Sequence, residues 1–306
     1  MTGSKPLIFR FAPSPNGRLH LGHARSALVN AARARASGGI LLVRMEDIDR
    51  DRCRKDYETA ILEDLSWLGI SWATPVLRQS EHFARYRLML QDLAERRLVY
   101  PCFCSRQDVT NAVAGLRDWS TDPDGVRHYP GTCRVMNARQ RSERLAQGQA
   151  YSWRLDNARA IAAVGKALSF TELGPHGAAR RVEAQPQLWG DVILGRKDVP
   201  ASYHLAVVAD DAFQGVTDVV RGEDLKAATH LHRLLQALFD LPTPSYFHHL
   251  NLVDALGRKL AKSHGAKSLS DWRTDGFGAA DIRALALGSD PDRITGILPH
   301  KMASFP

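Results

Sequence analysis

The sequence has few cysteines and no long apolar segment, and each absence excludes a class of protein. Four cysteines in 306 residues are too few for the disulfide framework of a small secreted domain. No stretch approaches the ~20 apolar residues that a membrane-spanning helix needs. The first residues also lack the basic-then-apolar order of a signal peptide. We therefore expect a globular protein of the cytoplasm that has no membrane partner.

The fractions of apolar and charged residues are typical of a folded protein, and the net charge favours an anionic partner. Apolar residues make up 44% of the chain and charged residues 24%, so a full core is available without disulfides. Basic residues exceed acidic ones by 41 to 33, which gives a net charge of +8 and a pI near 9.5. This excess favours nucleic acid or nucleotide phosphates as partners. No exposed apolar stripe is recognisable, and we expect a monomer.

The N-terminal part of the chain has the pattern of a βαβ unit. The apolar segment 7–13 predicts a buried strand, and Asn16-Gly17 supplies the turn that follows it. A helix is predicted from about His20 to the Ser37-Gly38-Gly39 stop. The apolar run 40–47 then predicts a strand that is buried on both faces of a parallel sheet.

Two more helices are predicted at 55–69 and 80–97, the second with Ser80 at its N-cap position. From about 100 to 185 the pattern becomes irregular, and we interpret this part as an insertion rather than a continuation of the sheet. Regular α/β patterns return after residue 188, with a helix around 227–239.

Two histidines three residues apart begin the first predicted helix, in the sequence His20-Leu21-Gly22-His23. Imidazoles on a first helical turn, beside backbone N–H groups, suit the binding of a phosphate chain. Gly22 allows a flat base to approach the backbone closely. The alternatives are a chance pair of histidines at a helix cap and a metal site, for which no third ligand is evident nearby.

A second motif, Arg258-Lys259-Leu260-Ala261-Lys262-Ser263, lies between two glycines late in the chain. A loop that presents Lys259 and Lys262 can close over triphosphate oxygens and neutralise charge that develops on the α-phosphate. Taken alone, such a segment is more often a solvated basic loop.

Together, the two motifs on an α/β framework resemble the signatures of the class I aminoacyl-tRNA synthetases. Residues 11–28, 44–49 and 221–225 are similar to the glutamyl/glutaminyl branch of that family, and the resemblance covers about 1–270. It implies an α/β fold with a Rossmann-like catalytic domain, an inserted zinc-containing subdomain and a short helical C-terminal tail. The expected boundaries are 1–100 and 186–265 for the two halves of the catalytic domain, 101–185 for the insertion and 266–306 for the tail.

The 44 residues after Lys262 are too few for an anticodon-binding domain of the usual ~100 residues. The chain therefore resembles the truncated glutamyl-queuosine tRNA(Asp) synthetases. That group activates L-glutamate with ATP and Mg²⁺ in the absence of tRNA and attaches it to queuosine in the anticodon stem-loop of tRNA(Asp). The alternatives are a truncated glutamyl-tRNA synthetase that charges a 3′ end, a catalytically silent paralogue that binds tRNA or another protein, and a small-molecule ligase or nucleotidyltransferase that shares H-x-G-H.

The resemblance also implies roles for individual residues. Glutamate carries two carboxylates and one ammonium, so its pocket needs cationic forks, a hydroxyl donor and one acidic group. The positions that the family uses for glutamate are Arg10, Ala12, Ser14, Glu46, Tyr203 and Arg221. The implied ATP-binding residues are His20, Gly22, His23 and Lys262, and the implied catalytic residues are His20, His23, Lys259 and Lys262.

Three of the four cysteines form a loose cluster, Cys102, Cys104 and Cys133. Three thiolates with a fourth N or O donor make a closed tetrahedral zinc site of the structural type. The C-x-C and Y-x-x-x-C spacings are similar to the zinc site of the family, in which Tyr129 supplies the fourth ligand. The adjacent His128 is the more usual ligand on chemical grounds. Reduced, buried cysteines without a metal are the alternative.

Overall fold

The structure is a computed structural model that describes residues 5–174, 177–253 and 266–288. Its strands are β1 (Ile8–Phe11), β2 (Ile40–Met45), β3 (Ala73–Arg78), β4 (Val99–Cys102), β5 (Ser152–Leu155), β6 (Ser169–Leu173), β7 (Ala179–Glu183), β8 (Ile193–Gly195), β9 (Asp218–Gly222) and β10 (Ser245–His249). Its helices are α1 (Leu21–Ala36), α2 (Lys55–Trp67), α3 (Phe83–Glu95), α4 (Arg106–Val113), α5 (Ala138–Ala146), α6 (Asn157–Val164), α7 (Tyr203–Phe213), α8 (Ala228–Leu238), α9 (Leu269–Thr274) and α10 (Ala279–Leu287).

Seven strands form the main sheet, in the order β3-β2-β1-β9-β10-β6-β7. All neighbouring pairs from β3 to β6 are parallel, and β7 runs antiparallel to β6. The chain builds outward from β1 in one direction and from β9 in the other, so the strand order reverses between these two strands. In open α/β sheets, ligands bind at such a switch point, outside the carboxyl ends of the strands.

Helices cover both faces of this sheet, which explains the nearly continuous apolar runs in β1, β2 and β9. Side chains alternate along β9: Val219 packs into the core that contains α3, α7 and α8. Val220 packs into the other core, with residues of α1, α2 and α10. Within the described residues, no helix has both the length and the apolar character needed to cross a membrane.

A second, antiparallel sheet of three strands has the order β4-β5-β8, and Cys102 ends its strand β4. Strands β6 and β7, by contrast, extend the main sheet through the parallel pair of β6 with β10. The interpretation of all of 100–185 as an insertion outside the sheet is therefore wrong for these two strands. The reason is that β7 is an exposed edge strand with Arg180 and Arg181, which hides the alternating pattern of a buried strand.

Ser80 does not cap the helix that the sequence predicts over 80–97. Its backbone N–H and its hydroxyl both hydrogen-bond to the carboxylate of Asp47, at 2.8 and 2.6 Å. Residues Gln79–Glu81 instead form a short 3₁₀ turn, and α3 begins at Phe83 after the N-cap residue His82. The carboxylate of Asp47, which follows β2, thus binds the donors of Ser80, and the helix begins later than the sequence predicts.

The C-terminal helices α9 and α10 pack with α1 in one core. Ile282 and Leu269 are fully buried there, and the buried guanidinium of Arg25 on α1 donates to the carbonyl of Ala286 at 3.2 Å. This tail therefore supports the helix whose first turn carries both histidines of the H-L-G-H motif.

Truncation of Ile282 to alanine should destabilise the whole fold. Ile282→Ala leaves a cavity between α10 and α1, and we expect the free energy of unfolding in urea to fall by about 2–5 kcal/mol. The matched control is Leu88→Ala, because Leu88 on α3 is 67% exposed; its effect should stay within about 0.5 kcal/mol. If Ile282→Ala lowered the free energy of unfolding as little as the control does, α10 would not be part of the cooperative core.

Candidate active site at the strand switch point

A cavity of about 470 Å³ opens at the carboxyl ends of β1, β9 and β10, where the strand order reverses. Every glutamate- or ATP-binding residue predicted from the sequence that the structure describes lines this one cavity: Arg10, Ala12, Ser14, His20, Gly22, His23, Glu46, Tyr203 and Arg221. The fold thus brings together side chains that are more than 200 positions apart in the sequence.

Lys259 and Lys262 lie outside the described residues. The described chain on both sides of this segment reaches the cavity. Leu252 lines its wall, and Ser268 forms a β-bridge with His20.

The two histidines cap the N-terminus of α1 and orient each other. His20 is the N-cap residue, and its Nδ1 accepts the backbone N–H of Gly22 at 3.1 Å. The Nδ1 of His23 accepts the backbone N–H of His20 at 3.2 Å, and the ring centroids are 3.8 Å apart. Since each Nδ1 is an acceptor, each neutral ring carries its proton on Nε2. The imidazole N–H groups of His20 and His23 therefore add two donors to the positive end of the α1 dipole. The first turn of this helix has no acidic residue.

Arg10 is one of two buried guanidinium groups that share a carboxylate. Its Nε lies 3.1 Å from Asp211 Oδ1, and Arg44 reaches the same oxygen at 2.8 Å. Burial opposes ionisation of Asp211, but the attraction of Arg10 and Arg44 outweighs it and holds the pKa of this carboxyl below its ordinary value. Sequence reasoning missed Asp211; the only signal was a pair of acidic residues within the otherwise apolar helix α7.

Glu46 follows β2, and its side chain is 16% exposed at the cavity. Burial raises the pKa of Glu46 to about 7, against the opposing pull of Arg44 and Arg10. The nearest guanidinium nitrogen, on Arg44, is 3.7 Å away and is already bonded to Asp211. Near neutral pH, a cationic group that binds beside Glu46 would therefore favour its charged form.

Arg221 at the end of β9 has a different environment from Arg10. It is only 4% exposed, and its NH1 donates to the phenol oxygen of Tyr203 at 3.2 Å. Its other partners are a threonine hydroxyl and two imidazoles. Within the described residues, Arg221 makes no hydrogen bond to a carboxylate. The cavity therefore has a positive charge available at this end.

The three clustered cysteines come together at the end of strand β4, which Cys102 ends. Their sulfur atoms all lie within 4.8 Å of one another, and the sulfurs of Cys104 and Cys133 are 3.6 Å apart. Two thiolates on one tetrahedral zinc at 2.3 Å would be about 3.8 Å apart, so the spacing fits. The cluster is thus able to hold a metal ion.

The structure separates the two candidates for a fourth ligand. The hydroxyl of Tyr129 lies 3.5 Å from the sulfur of Cys104 and accepts the backbone N–H of Cys133 at 2.7 Å. His128 points elsewhere, with its Nε2 at 3.0 Å from the carbonyl oxygen of Leu188. Tyr129 and not His128 is therefore in place beside the thiols.

The chain is similar in sequence and in fold to known proteins. The sequence model of the family described as "tRNA synthetases class I (E and Q), catalytic domain" matches residues 6–286. A protein of Rhodobacter capsulatus named glutamyl-Q tRNA(Asp) synthetase is 45% identical over 283 residues, which are 91% of this chain and 99% of that protein. The protein of the same name from Nocardia farcinica is 38% identical over 92% of this chain and 83% of its own length.

Two further matches concern longer proteins. Glutamate–tRNA ligase 2 of Nitrosococcus oceani is 36% identical over 88% of this chain, which spans 56% of that protein. Among solved structures, the glutamate-tRNA synthetase of Elizabethkingia anophelis matches with a TM-score of 0.69 and 24% identity, over 89% of this chain and 54% of that one. The second likeness concerns the fold alone, and it confirms the α/β catalytic fold expected from the sequence.

Removal of the shared carboxylate should destabilise the site and the fold together. Asp211→Asn removes the carboxylate that the buried Arg10 and Arg44 share and leaves Arg44 its longer contact to Glu46 at 3.7 Å. We expect the free energy of unfolding to fall by about 3–5 kcal/mol. Asp198→Asn is the matched control, because Asp198 is 56% exposed in its ion pair with Arg196; its loss should be below about 1 kcal/mol. Urea denaturation measures both, and equal losses would contradict the role of Asp211.

Proposed function

Since the chain belongs to the glutamyl-Q tRNA(Asp) synthetase group of the class I tRNA synthetase family, we propose that it activates L-glutamate with ATP without tRNA and transfers the glutamyl group to queuosine in the anticodon of tRNA(Asp). The observation that carries the proposal is the single cavity in which paired histidines, two arginines and Glu46 meet. Its chemistry is complementary to an acidic amino acid beside a nucleotide phosphate chain.

The glutamate end of the cavity matches each charged group of that amino acid. Arg10 and Arg221 are proposed to bind the carboxylates, and Glu46 the ammonium. The phenol oxygen of Tyr203 accepts from Arg221, so its own O–H group is proposed as a donor to the ligand. Ala12 and Ser14 lie in the same wall and are proposed to bind through backbone and hydroxyl groups.

The ATP end is the N-terminus of α1. The glutamate carboxylate attacks the α-phosphate; an O–P bond forms, the bond to the β-phosphate breaks, and the electron pair leaves with pyrophosphate. The Nε2–H groups of His20 and His23 are proposed to donate to phosphate oxygens, with Lys259 and Lys262 neutralising developing charge. Mg²⁺ bound with ATP supplies countercharge to the β- and γ-phosphates.

In the proposed transfer step, a ring hydroxyl of queuosine attacks the acyl carbon of glutamyl-adenylate. The new ester bond forms as the bond to AMP breaks, the hydroxyl proton is released to solvent, and no protein nucleophile is required. The excess positive charge of the chain supports a polyanionic partner such as tRNA.

The acceptor is tested with radiolabelled glutamate, ATP and tRNA(Asp) with or without queuosine. We expect label only on queuosine-containing tRNA, and we expect it to survive removal of the 3′ adenosine. Label that is lost with this adenosine would establish the second candidate, a ligase that charges the 3′ end, which the likeness to the Nitrosococcus oceani ligase favours. No glutamate-dependent ATP–pyrophosphate exchange would identify a silent paralogue.

We also propose that Cys102, Cys104, Cys133 and Tyr129 bind a structural zinc ion. The sulfur spacing and the position of the Tyr129 hydroxyl support this ligand set. Zinc there would cross-link the end of β4 to the loop that contains Tyr129 and Cys133.

Zinc content tests this ligand set. We expect about one zinc per chain, a loss of zinc in Cys104→Ser, and easier removal by chelator in Tyr129→Phe. The control His128→Ala should keep the wild-type content, since its ring contacts Leu188. Elemental analysis that finds zinc in Tyr129→Phe but not in His128→Ala would reverse the assignment.

Glutamate binding should weaken as the pH falls. The pKa of Glu46 is about 7 in the ligand-free protein, and the substrate ammonium favours its charged form. Below pH 7 a proton must leave before binding, so the Kd for glutamate should rise, approaching tenfold per pH unit. Titration calorimetry measures this; Glu46→Gln should bind weakly and lose this pH dependence. A wild-type Kd that stays constant from pH 8 to about pH 6 would contradict the role of Glu46.

Substitution of Lys262 should slow adenylate formation. Lys262→Ala removes one preorganised charge-stabilising group, and we expect glutamate-dependent ATP–pyrophosphate exchange to fall at least ~10²-fold. Exchange close to the wild-type rate would remove Lys262 from the reaction. Lys267→Ala is the control, since this exposed ammonium is paired with Asp275.

A further inference from the structure

The guanidinium of Arg221 is enclosed by neutral hydrogen-bond acceptors. In addition to Tyr203, it donates to Thr229 Oγ1 at 2.8 Å, to His232 Nδ1 at 3.3 Å and to His248 Nε2 at 3.3 Å. Helix α7 provides Tyr203, helix α8 provides Thr229 and His232, and β10 provides His248. Three different elements thus orient one buried cation, and none of these contacts cancels its charge.

Each imidazole is held in the form that presents a lone pair to Arg221. His232 accepts at Nδ1, so its Nε2–H donates to the Nδ1 of His204 at 3.1 Å. His248 accepts at Nε2, so its Nδ1–H donates to Glu172 at 3.0 Å. Both hydrogen-bond chains therefore run away from the guanidinium and fix one tautomer of each ring.

Burial keeps this arrangement neutral. Burial, reinforced by the repulsion of Arg221, lowers the pKa of His232 well below its ordinary value. The pKa of His248 is also lowered by burial, even though the hydrogen bond to Glu172 opposes the shift. A proton on either acceptor nitrogen would place N–H against N–H, which explains why these rings must stay uncharged.

The contrast with Arg10 shows what this environment achieves. Arg10 is oriented by the carboxylate of Asp211, a charged partner that it shares with Arg44. Four neutral acceptors, on Tyr203, Thr229, His232 and His248, instead orient Arg221, and we call this group the clamp. The clamp leaves the positive charge of Arg221 to be compensated by a ligand. Because its acceptors are neutral, Arg221 is assigned to the side-chain carboxylate of the amino acid rather than to the α-carboxylate. An anionic side chain gains from its charge, whereas the isosteric carboxamide gains much less.

We propose that His232 and His248 are positioning residues that set the selectivity of the cavity for glutamate over glutamine, by holding Arg221 in place without neutralising it. The inference rests on the proposed activation of glutamate and adds the specificity device of that site. Neither histidine belongs to the motifs that the sequence analysis used.

Leucine and glutamine variants test the clamp. His232→Leu and His248→Leu remove the acceptor, whereas His232→Gln and His248→Gln keep a neutral one. We expect each leucine variant to raise the Kd for L-glutamate by about tenfold or more, the value of a hydrogen bond to a charged group. The Kd for L-glutamine and the KM for ATP should change little, and the glutamine variants should retain most of the glutamate affinity.

The control variant is His230→Leu, on the same helix. Its Nδ1 accepts the backbone N–H of Gln185, and its ring makes no hydrogen bond to Arg221. This variant should therefore alter thermal stability without altering the preference for glutamate. Melting temperatures of all variants separate loss of fold from loss of positioning.

Binding is measured by calorimetry and activity by ATP–pyrophosphate exchange, so two failures can be distinguished. Wild-type protein that binds glutamate without exchange would contradict the proposed reaction but leave the clamp to be judged from the variants. Unchanged glutamate Kd in both leucine variants, an equal rise for glutamate and glutamine, or no rescue by the glutamine variants would overturn the clamp. Wild-type protein that binds no glutamate would overturn both proposals.

Discussion

The parallel pairing of β1 with β9 is the constraint on which the site depends. The two strands pair at Phe9 and Asp218, although more than 200 residues separate them. Because parallel strands end at the same edge of a sheet, this pairing places Arg10 and Arg221 at one cavity and sets α1 beside them. The tail helices reinforce it, since α10 packs on α1 and Arg25 binds the carbonyl of Ala286.

Charge is then distributed unequally over that cavity. On the β1 side, Arg10 and Arg44 share the carboxylate of Asp211. The β9 side keeps a guanidinium among neutral acceptors. Burial raises the pKa of Glu46, and the attraction of Arg44 and Arg10 does not fully offset this effect. A buried guanidinium without a charged partner and a buried carboxyl group both cost free energy in the ligand-free protein. A zwitterionic, acidic amino acid would reduce both costs, which supports the proposal that the cavity binds glutamate.

The sequence predicted the main elements well where periodicity was strong. Helix α1 and strand β2 have nearly the expected bounds, since their apolar patterns are long and their ends carry turn residues. The prediction failed at Ser80, where a carboxylate from another segment binds the capping donors, and at β7, whose exposed arginines conceal a strand. Both errors arise from contacts that local sequence does not encode.

By itself the sequence determined the residue types of the site, through motifs such as H-L-G-H and C-x-C, because the chemistry of phosphates, carboxylates and zinc restricts which side chains can serve. It also limited the fold to a parallel α/β sheet. Only the tertiary structure decided which side chains share a partner. Asp211, His232 and His248 act through neighbours distant in sequence, and the choice of Tyr129 over His128 depends on which ring faces the thiols. Such pairings follow from strand order and packing, so no local sequence pattern could have predicted them.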